Sequence, residues 1–177
     1  MANQFLIVVD MQNDFIDGAL GTAEAQAIVP AVVERIRAAK EAGETIIATL
    51  DTHTPDYRNT PEGRKLPVPH CIRETDGWQI RPEVKAAMGD AILVEKPTFG
   101  SVRLPEIIAA QAEDTNQMTI ELIGLCTDIC VVSNTLLLKA CYPDADICVR
   151  QNCCAGVTPH KHEAALETMR SCQIDVI

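Results

Sequence analysis

TIELIGLCTDICVVSNTLLLKA, residues 119–140, carries the reading that decides the fold. Thr119 to Ile123 is a short run rich in Ile and Leu, the turn Gly124-Leu125-Cys126-Thr127-Asp128-Ile129-Cys130 interrupts it, and apolar residues then recur at helical spacing from Cys130 to Ala140. A strand that feeds a helix through a tight turn is half of a βαβ unit. The same grammar extends outward in both directions. Phe5 to Val9, Thr45 to Leu50, Ala91 to Val94, Asp146 to Val149 and Ile174 to Ile177 are further Val- and Ile-rich runs of the kind buried on both faces. Helical spacing fills the intervals at Glu24 to Ala42, Arg81 to Met88, Leu104 to Gln111 and His160 to Ser171. Gly43 is placed to end the first long helix, and Thr158-Pro159 to start the last. The expectation is an α/β fold, a parallel sheet covered by helices. The proline-containing stretch from Thr52 to Gly77 has little periodicity and is too long for an ordinary connection, so it is a candidate functional loop.

Composition narrows the function classes. A chain of 177 residues that is 47% apolar fits one globular domain spanning residues 1–177. Its formal net charge of -10 repels polyphosphates, which argues against nucleic acid as a partner and for a small neutral or cationic molecule. The N-terminal apolar run has no basic flank and stops at Asp10, unlike a signal peptide. No apolar stretch approaches the ~18 residues of a membrane helix, so a cytoplasmic protein without membrane contact is expected. The eight cysteines lack the spacing of a secreted framework, and reduced thiols are expected.

In open parallel sheets ligands bind beyond the carboxyl ends of the strands. Polar residues line up there: Asp10 after the first run, Asp51 and His53 after the second, Lys96 after the third, and the turn ending at Cys130 after the fourth. Any one of these alone is explained as a cap or a surface charge, whereas four strand ends together point to a site. Cys130 falls in the first turn of a helix, where the macrodipole favours a thiolate, and a nearby Lys96 would depress its pKa further. Asp10 would accept the proton and return it to a leaving amine. The competing reading packs Cys130 as a small buried apolar residue, which is the reading adopted for Cys141, Cys148, Cys153, Cys154 and Cys172. Cys126 and Cys130 are spaced as neither a redox pair nor a common zinc pair. In the long loop, Asp51, His53, Glu62 and His70 offer oxygen and imidazole ligands suited to Zn, Fe or Mn. His160 and His162 are expected to face solvent.

VVDMQNDF (8–15), DTH (51–53), EKPTFGS (95–101) and GLCTDICV (124–131), followed by HEAALETM (162–169), occur in an order and spacing that cover nearly the whole chain. On these motifs the chain resembles the isochorismatase-like cysteine hydrolases, and within them the nicotinamidase and pyrazinamidase branch. The resemblance implies a three-layer, Rossmann-like α/β/α fold with a six-stranded parallel sheet, and a triad of Asp10, Lys96 and Cys130. It implies one divalent metal ion, zinc first with iron or manganese as alternatives, held by Asp51, His53 and His70, with Glu62 where some relatives have a further ligand. It also implies a cis peptide before Cys126, an oxyanion hole from the N–H groups of Cys126 and Cys130, and hydrolysis of a small amide such as nicotinamide or pyrazinamide in NAD salvage. Phe15, Phe99 and Leu125 are assigned to the substrate pocket, although Phe15 fits the core equally well. Pro67 and Ile129 stand where many nicotinamidases carry aromatics, which keeps a ureido or N-carbamoyl amide in play as substrate. Relatives commonly associate through a helix, so a homo-oligomer is expected.

Overall fold

Phe5, Ile7 and Val9 pack to one side of the first strand, β1 (Asn3–Val9), and Leu6 and Val8 to the other, and all five are buried. A strand apolar on both faces belongs in the interior of a sheet with helices on either side. The structure, a computed structural model, describes residues 3–177. In it β1 pairs in parallel with β2 (Thr45–Asp51), beyond which lies β3 (Ile92–Lys96). On its other side β1 pairs with β4 (Met118–Leu125), followed by β5 (Asp146–Ala155) and the short β6 (Asp175–Val176), all parallel. The order β3-β2-β1-β4-β5-β6 gives the six-stranded sheet expected.

The short helix α1 (Asn13–Ile16), the long α2 (Ala23–Ala42) and, after the loop helix α3 (Pro61–Lys65), α4 (Pro82–Met88) bear on the face of Leu6, Val8, Ile46 and Ile123. The opposite face, with Ile7, Ile47, Ile120 and Val149, is covered by α5 (Leu104–Gln111), α6 (Val132–Cys141) and α7 (Pro159–Ser171). Gly43 ends α2 in the left-handed conformation, and the Thr158 side chain caps α7 by accepting from the Lys161 N–H, as their sequence positions predict.

Three differences from the sequence reading have local causes. The fifth strand continues past Val149 because its register jumps, Leu122 pairing with Val149 but Gly124 with Cys154, so the polar residues between them conceal the strand. The helix expected to open at Cys130 opens at Val132. Thr127–Val131 instead forms a wider π-turn in which the Val131 N–H donates to the Cys126 carbonyl at 3.1 Å. The long loop is ordered by a 3-10 turn at Tyr57–Asn59 and by α3, whose Thr60 cap precedes Pro61 at the first helical position. Glycine at 63 lets that turn close, since a Cβ there would lie 2.0 Å from the Tyr57 carbonyl oxygen. All eight cysteines are free thiols, and Cys141 and Cys172 are exposed rather than buried, one ending α6 and the other following α7. No helix among the described residues is long and apolar enough to cross a membrane.

Candidate active site

The sheet grows outward from β1 in one direction through β2 and β3 and in the other through β4, β5 and β6, and the carboxyl ends of strands at such a switch point leave a crevice. Asp10 leaves β1 there with φ 47°, a left-handed conformation uncommon outside glycine, while its carboxylate accepts from the Thr49 hydroxyl at 2.7 Å. Lys96 ends β3, fully buried. Its ammonium lies 2.6 Å from Asp10 Oδ2, 3.4 Å from Cys130 Sγ and 3.6 Å from Asp51 Oδ1. Asp10, Lys96 and Cys130, separated widely in sequence, are thus one buried cluster.

Burial pushes the Asp10 carboxyl above its usual range, with the Lys96 charge opposing. Burial would lower the Lys96 ammonium, but Asp10 first, then Cys130 and Asp51, hold it well above its ordinary value and keep it protonated. The Cys130 thiol is pushed well up by burial and by Asp10, which outweigh Lys96. This departs from the depressed thiol expected of a helix N-terminus. Cys130 sits in the π-turn, dry and next to a carboxylate, which favours the neutral thiol, so a nucleophilic role would need a base to take its proton. Asp10, made more basic by the same burial, is matched to that transfer.

Beside this cluster Asp51, His53 and His70, all buried, present ligand atoms within 4.8 Å of one another. Asp51 Oδ2 is 2.9 Å from His53 Nε2 and 3.4 Å from His70 Nε2. The His70 Nδ1 bonds the Val68 carbonyl at 2.8 Å, which turns Nε2 toward Asp51, the arrangement by which metal-ligating histidines are oriented. Burial would raise the Asp51 carboxyl, but hydrogen bonds from His53 and His70 and the charge of Lys96 hold it far below its usual range. Glu62 on α3 brings Oε1 to 3.8 Å from His53 Nε2 and 3.6 Å from His70 Nε2. An anionic carboxylate, two imidazoles and a nearby second carboxylate fit a divalent ion of the zinc type.

Phe15, Leu20, Asp51, Glu62, Leu66, His70, Phe99, Cys126, Ile129 and Cys130 line a cavity of about 50 Å³ between the two clusters. Phe15 and Phe99 thus both border this cavity. Leu125 does not: it is wholly buried in the core on the α2 side of the sheet, because the last residues of β4 alternate between faces and its own side chain points away from the crevice. The Leu125–Cys126 peptide is cis, and it is the next residue, Cys126, whose side chain reaches the cavity. Ile129 lines it and Pro67 does not. Trp78 spends its indole N–H on the Thr52 hydroxyl at 2.9 Å and stays outside.

Several supporting residues escape a reading of strand ends. Gln12, fully buried, donates to the carbonyls of Asp51 and Trp78 and accepts the Asp51 N–H, each at 2.8 Å, fixing β2's exit against the loop. Asp14 accepts the Cys71 N–H at 2.7 Å next to His70. Tyr57, fully buried, packs its ring 4.8 Å from His53 and 5.0 Å from His70 and donates its hydroxyl to the Leu66 carbonyl. Asn134 ties the Cys130 carbonyl to the Phe99 carbonyl and the Ser101 N–H. His162, expected in solvent, is half-buried with Nδ1 2.8 Å from the Thr127 hydroxyl in the π-turn that holds Cys130. The only sequence signal for most of these was a polar residue adjoining a site motif.

A switch-point crevice with a buried carboxylate, ammonium and thiol beside a metal-type ligand set narrows the class, and sequence comparison agrees: the chain belongs to the isochorismatase family, whose isochorismatase domain matches residues 4–177. It is a hydrolase acting on amides. It is 24% identical over 190 residues to the nicotinamidase/pyrazinamidase of Mycobacterium tuberculosis, covering 97% of each chain. Among solved structures it is similar to the pyrazinamidase of Pyrococcus horikoshii in complex with zinc, at 29% identity and TM-score 0.81, covering 99% of this chain and 98% of the other. It is also similar to the N-carbamoylsarcosine amidase of Thermoplasma acidophilum, at 29% identity and TM-score 0.80 over 98% and 95%.

Proposed function

We propose that the chain is a metal-assisted cysteine amidohydrolase of a single domain that converts nicotinamide to nicotinic acid and ammonia and also accepts pyrazinamide. The observation that carries this reading is the buried Lys96 ammonium bridging Asp10 at 2.6 Å and Cys130 Sγ at 3.4 Å, with Cys130 itself on the wall of a cavity that Asp51 and His70 also line. Asp10 takes the Cys130 proton as sulfur attacks the carboxamide carbon. The C–S bond forms, the C–N bond breaks, and Asp10 passes its proton to the departing nitrogen, which leaves as ammonia. Water then gives a proton to Asp10 while its oxygen attacks the thioester, the C–S bond breaks to release the acid, and Asp10 returns the proton to sulfur, restoring the thiol and the carboxylate. Lys96 keeps Asp10 anionic between these transfers and offsets charge that builds on sulfur.

The N–H groups of Cys126 and Cys130 serve the developing oxyanion, a role in which single donors are worth ~2.7 to 4 kcal/mol elsewhere. Asp51, His53 and His70 would hold a divalent ion, zinc by preference, with Glu62 in reach as a further ligand. The ion would supply a Lewis-acidic position for the ring nitrogen and so orient the ring. The activities of the relatives and the zinc bound by one of them support this reading.

Hydrolysis of an N-carbamoyl compound is the second reading, favoured by the N-carbamoylsarcosine amidase relative and by Ile129 standing on the cavity wall in place of an aromatic. Ammonia release from nicotinamide, pyrazinamide and N-carbamoyl amino acids, compared for wild type, Cys130→Ala and chelated protein, separates the two. Nicotinamide turnover that survives Cys130→Ala sinks the mechanism. Turnover that survives chelation sinks the metal's part in it.

A further inference from the structure

The cavity at Cys130, about 50 Å³, is far smaller than the ~300 to 1,000 Å³ of ordinary ligand pockets. A second space of about 580 Å³ lies against it, lined by Thr52, Thr54, Thr60, Pro61, Lys65, Pro97 and Thr98 in addition to residues common to both. The two share Glu62, Leu66, Phe99 and Ile129 as common walls, so the narrow inner space and the wide outer one adjoin across these side chains. The outer part borders His53 and Glu62 but none of Asp10, Lys96 or Cys130, which puts it on the side of the ring rather than of the reacting carbonyl. Most of its exposed surface is apolar, although Glu62 and Lys65 also border it, and two of the large side chains are left in water, Phe99 at 46% and Leu66 at 38% exposure. Apolar side chains left open beside the inner cavity suit an apolar ligand group.

We infer that this groove is an outer subsite for the acyl part of the substrate, and that the chain prefers primary carboxamides whose ring carries an uncharged apolar substituent over the bare ring. The inference rests on Cys130 attacking a ring carboxamide, as proposed above. The inner cavity takes the carboxamide and the adjoining ring edge. A chain on the far edge of the ring then covers Phe99, Leu66, Pro97 and Pro61, and Ile129 stands where a ring and an alkyl chain can both pass.

The test compares kcat/KM for nicotinamide with that for nicotinamides bearing an n-butyl group at ring position 5 or 6, by ammonia release from the zinc-supplied full chain. One of the butyl amides is expected to exceed nicotinamide by about 10-fold or more, the scale on which added methylenes discriminate in apolar pockets. Thr98→Trp, which fills the groove from an exposed position, is expected to bring that ratio to one or below. Thr54→Trp, at a second exposed lining position, does the same if the first variant does not fold. Calorimetric binding of the same amides to Cys130→Ala gives the ratio without turnover. A wild-type ratio of one or less, or equal losses on both substrates in the Trp variants as for a mere entrance, overturns the inference and leaves nicotinamide hydrolysis standing. Turnover of a butyl amide without nicotinamide turnover overturns nicotinamide as substrate and leaves the subsite standing. Turnover of neither overturns both.

Discussion

Replacing Lys96 with Met strips the Asp10 carboxylate of its counter-ion in a place water does not reach. The two charges are 2.6 Å apart and both side chains are fully buried. At an effective dielectric near 20 their attraction is about 6 kcal/mol, set against a desolvation cost of several kcal/mol for each ion, so the pair as a whole adds little. Breaking it is different, because the remaining charge is stranded, and the expected loss is about 3 to 5 kcal/mol, or about 6 to 20 °C in Tm for a chain of this size. Asp10 can reduce the loss by binding a proton, since burial already raises its pKa. A carboxyl whose folded pKa exceeds its unfolded one favours the folded state most at low pH and loses that advantage as pH rises through the folded value. Urea unfolding of Lys96→Met should therefore show a deficit that is smaller at pH 5 than at pH 8. The double variant Asp10→Asn with Lys96→Met removes both charges and should recover at least about 2 kcal/mol of that deficit at pH 8, with little pH dependence left. If the double variant is as unstable as the sum of the two single variants at both pH values, the reasoning from a stranded charge is wrong.

Glu121 on β4 accepts from Arg35 and Arg150, and although burial would raise its carboxyl, these bonds hold it below its ordinary range. Glu121→Gln should cost about 1.5 to 3 kcal/mol at pH 7, and the difference should vanish in urea melts as pH falls from about 4.5 through the lowered folded value, where wild type loses the same contribution. Gly124 has φ 118° and leaves a Cβ only 2.1 Å from the Val9 carbonyl oxygen, so Gly124→Ala should cost more than about 3 kcal/mol by chemical unfolding and displace Asp10 enough to lower kcat. His70→Ala and Asp51→Asn should each reduce bound zinc from about one per chain toward none by elemental analysis, while circular dichroism keeps the helical signal. Zinc content equal to wild type in both would place the ion elsewhere.

The six apolar runs were legible because the inner strands β1, β2 and β4 are buried on both faces, and a run of Val and Ile with polar residues at its end is a local property of the chain. The same locality made Asp10, Asp51, His53, Lys96 and Cys130 stand out, each following such a run. Parallel strands share one direction, so their ends share one rim, and this is why a one-dimensional pattern located a three-dimensional site. Two residues at strand ends were read less well. Leu125 belongs to the core, since alternation along β4 turns it away from the crevice, and Cys130 occupies a π-turn that helical spacing does not distinguish from a helix start.

What remained beyond the sequence depends on long-range packing. No local signal reveals that Gln12 braces Asp51, that Tyr57 stands behind His53 and His70, or that His162 reaches Thr127, because each contact joins segments whose proximity is created only when the sheet closes. The sign of the Cys130 shift is of the same kind: sequence supplied a helix terminus and a lysine, both lowering the pKa, while complete burial beside Asp10 reversed the balance. The sequence by itself determined which residue types stand at the strand ends. Tertiary structure decided how dry they are and what they touch, because desolvation and charge coupling are properties of the assembled site and not of any one segment.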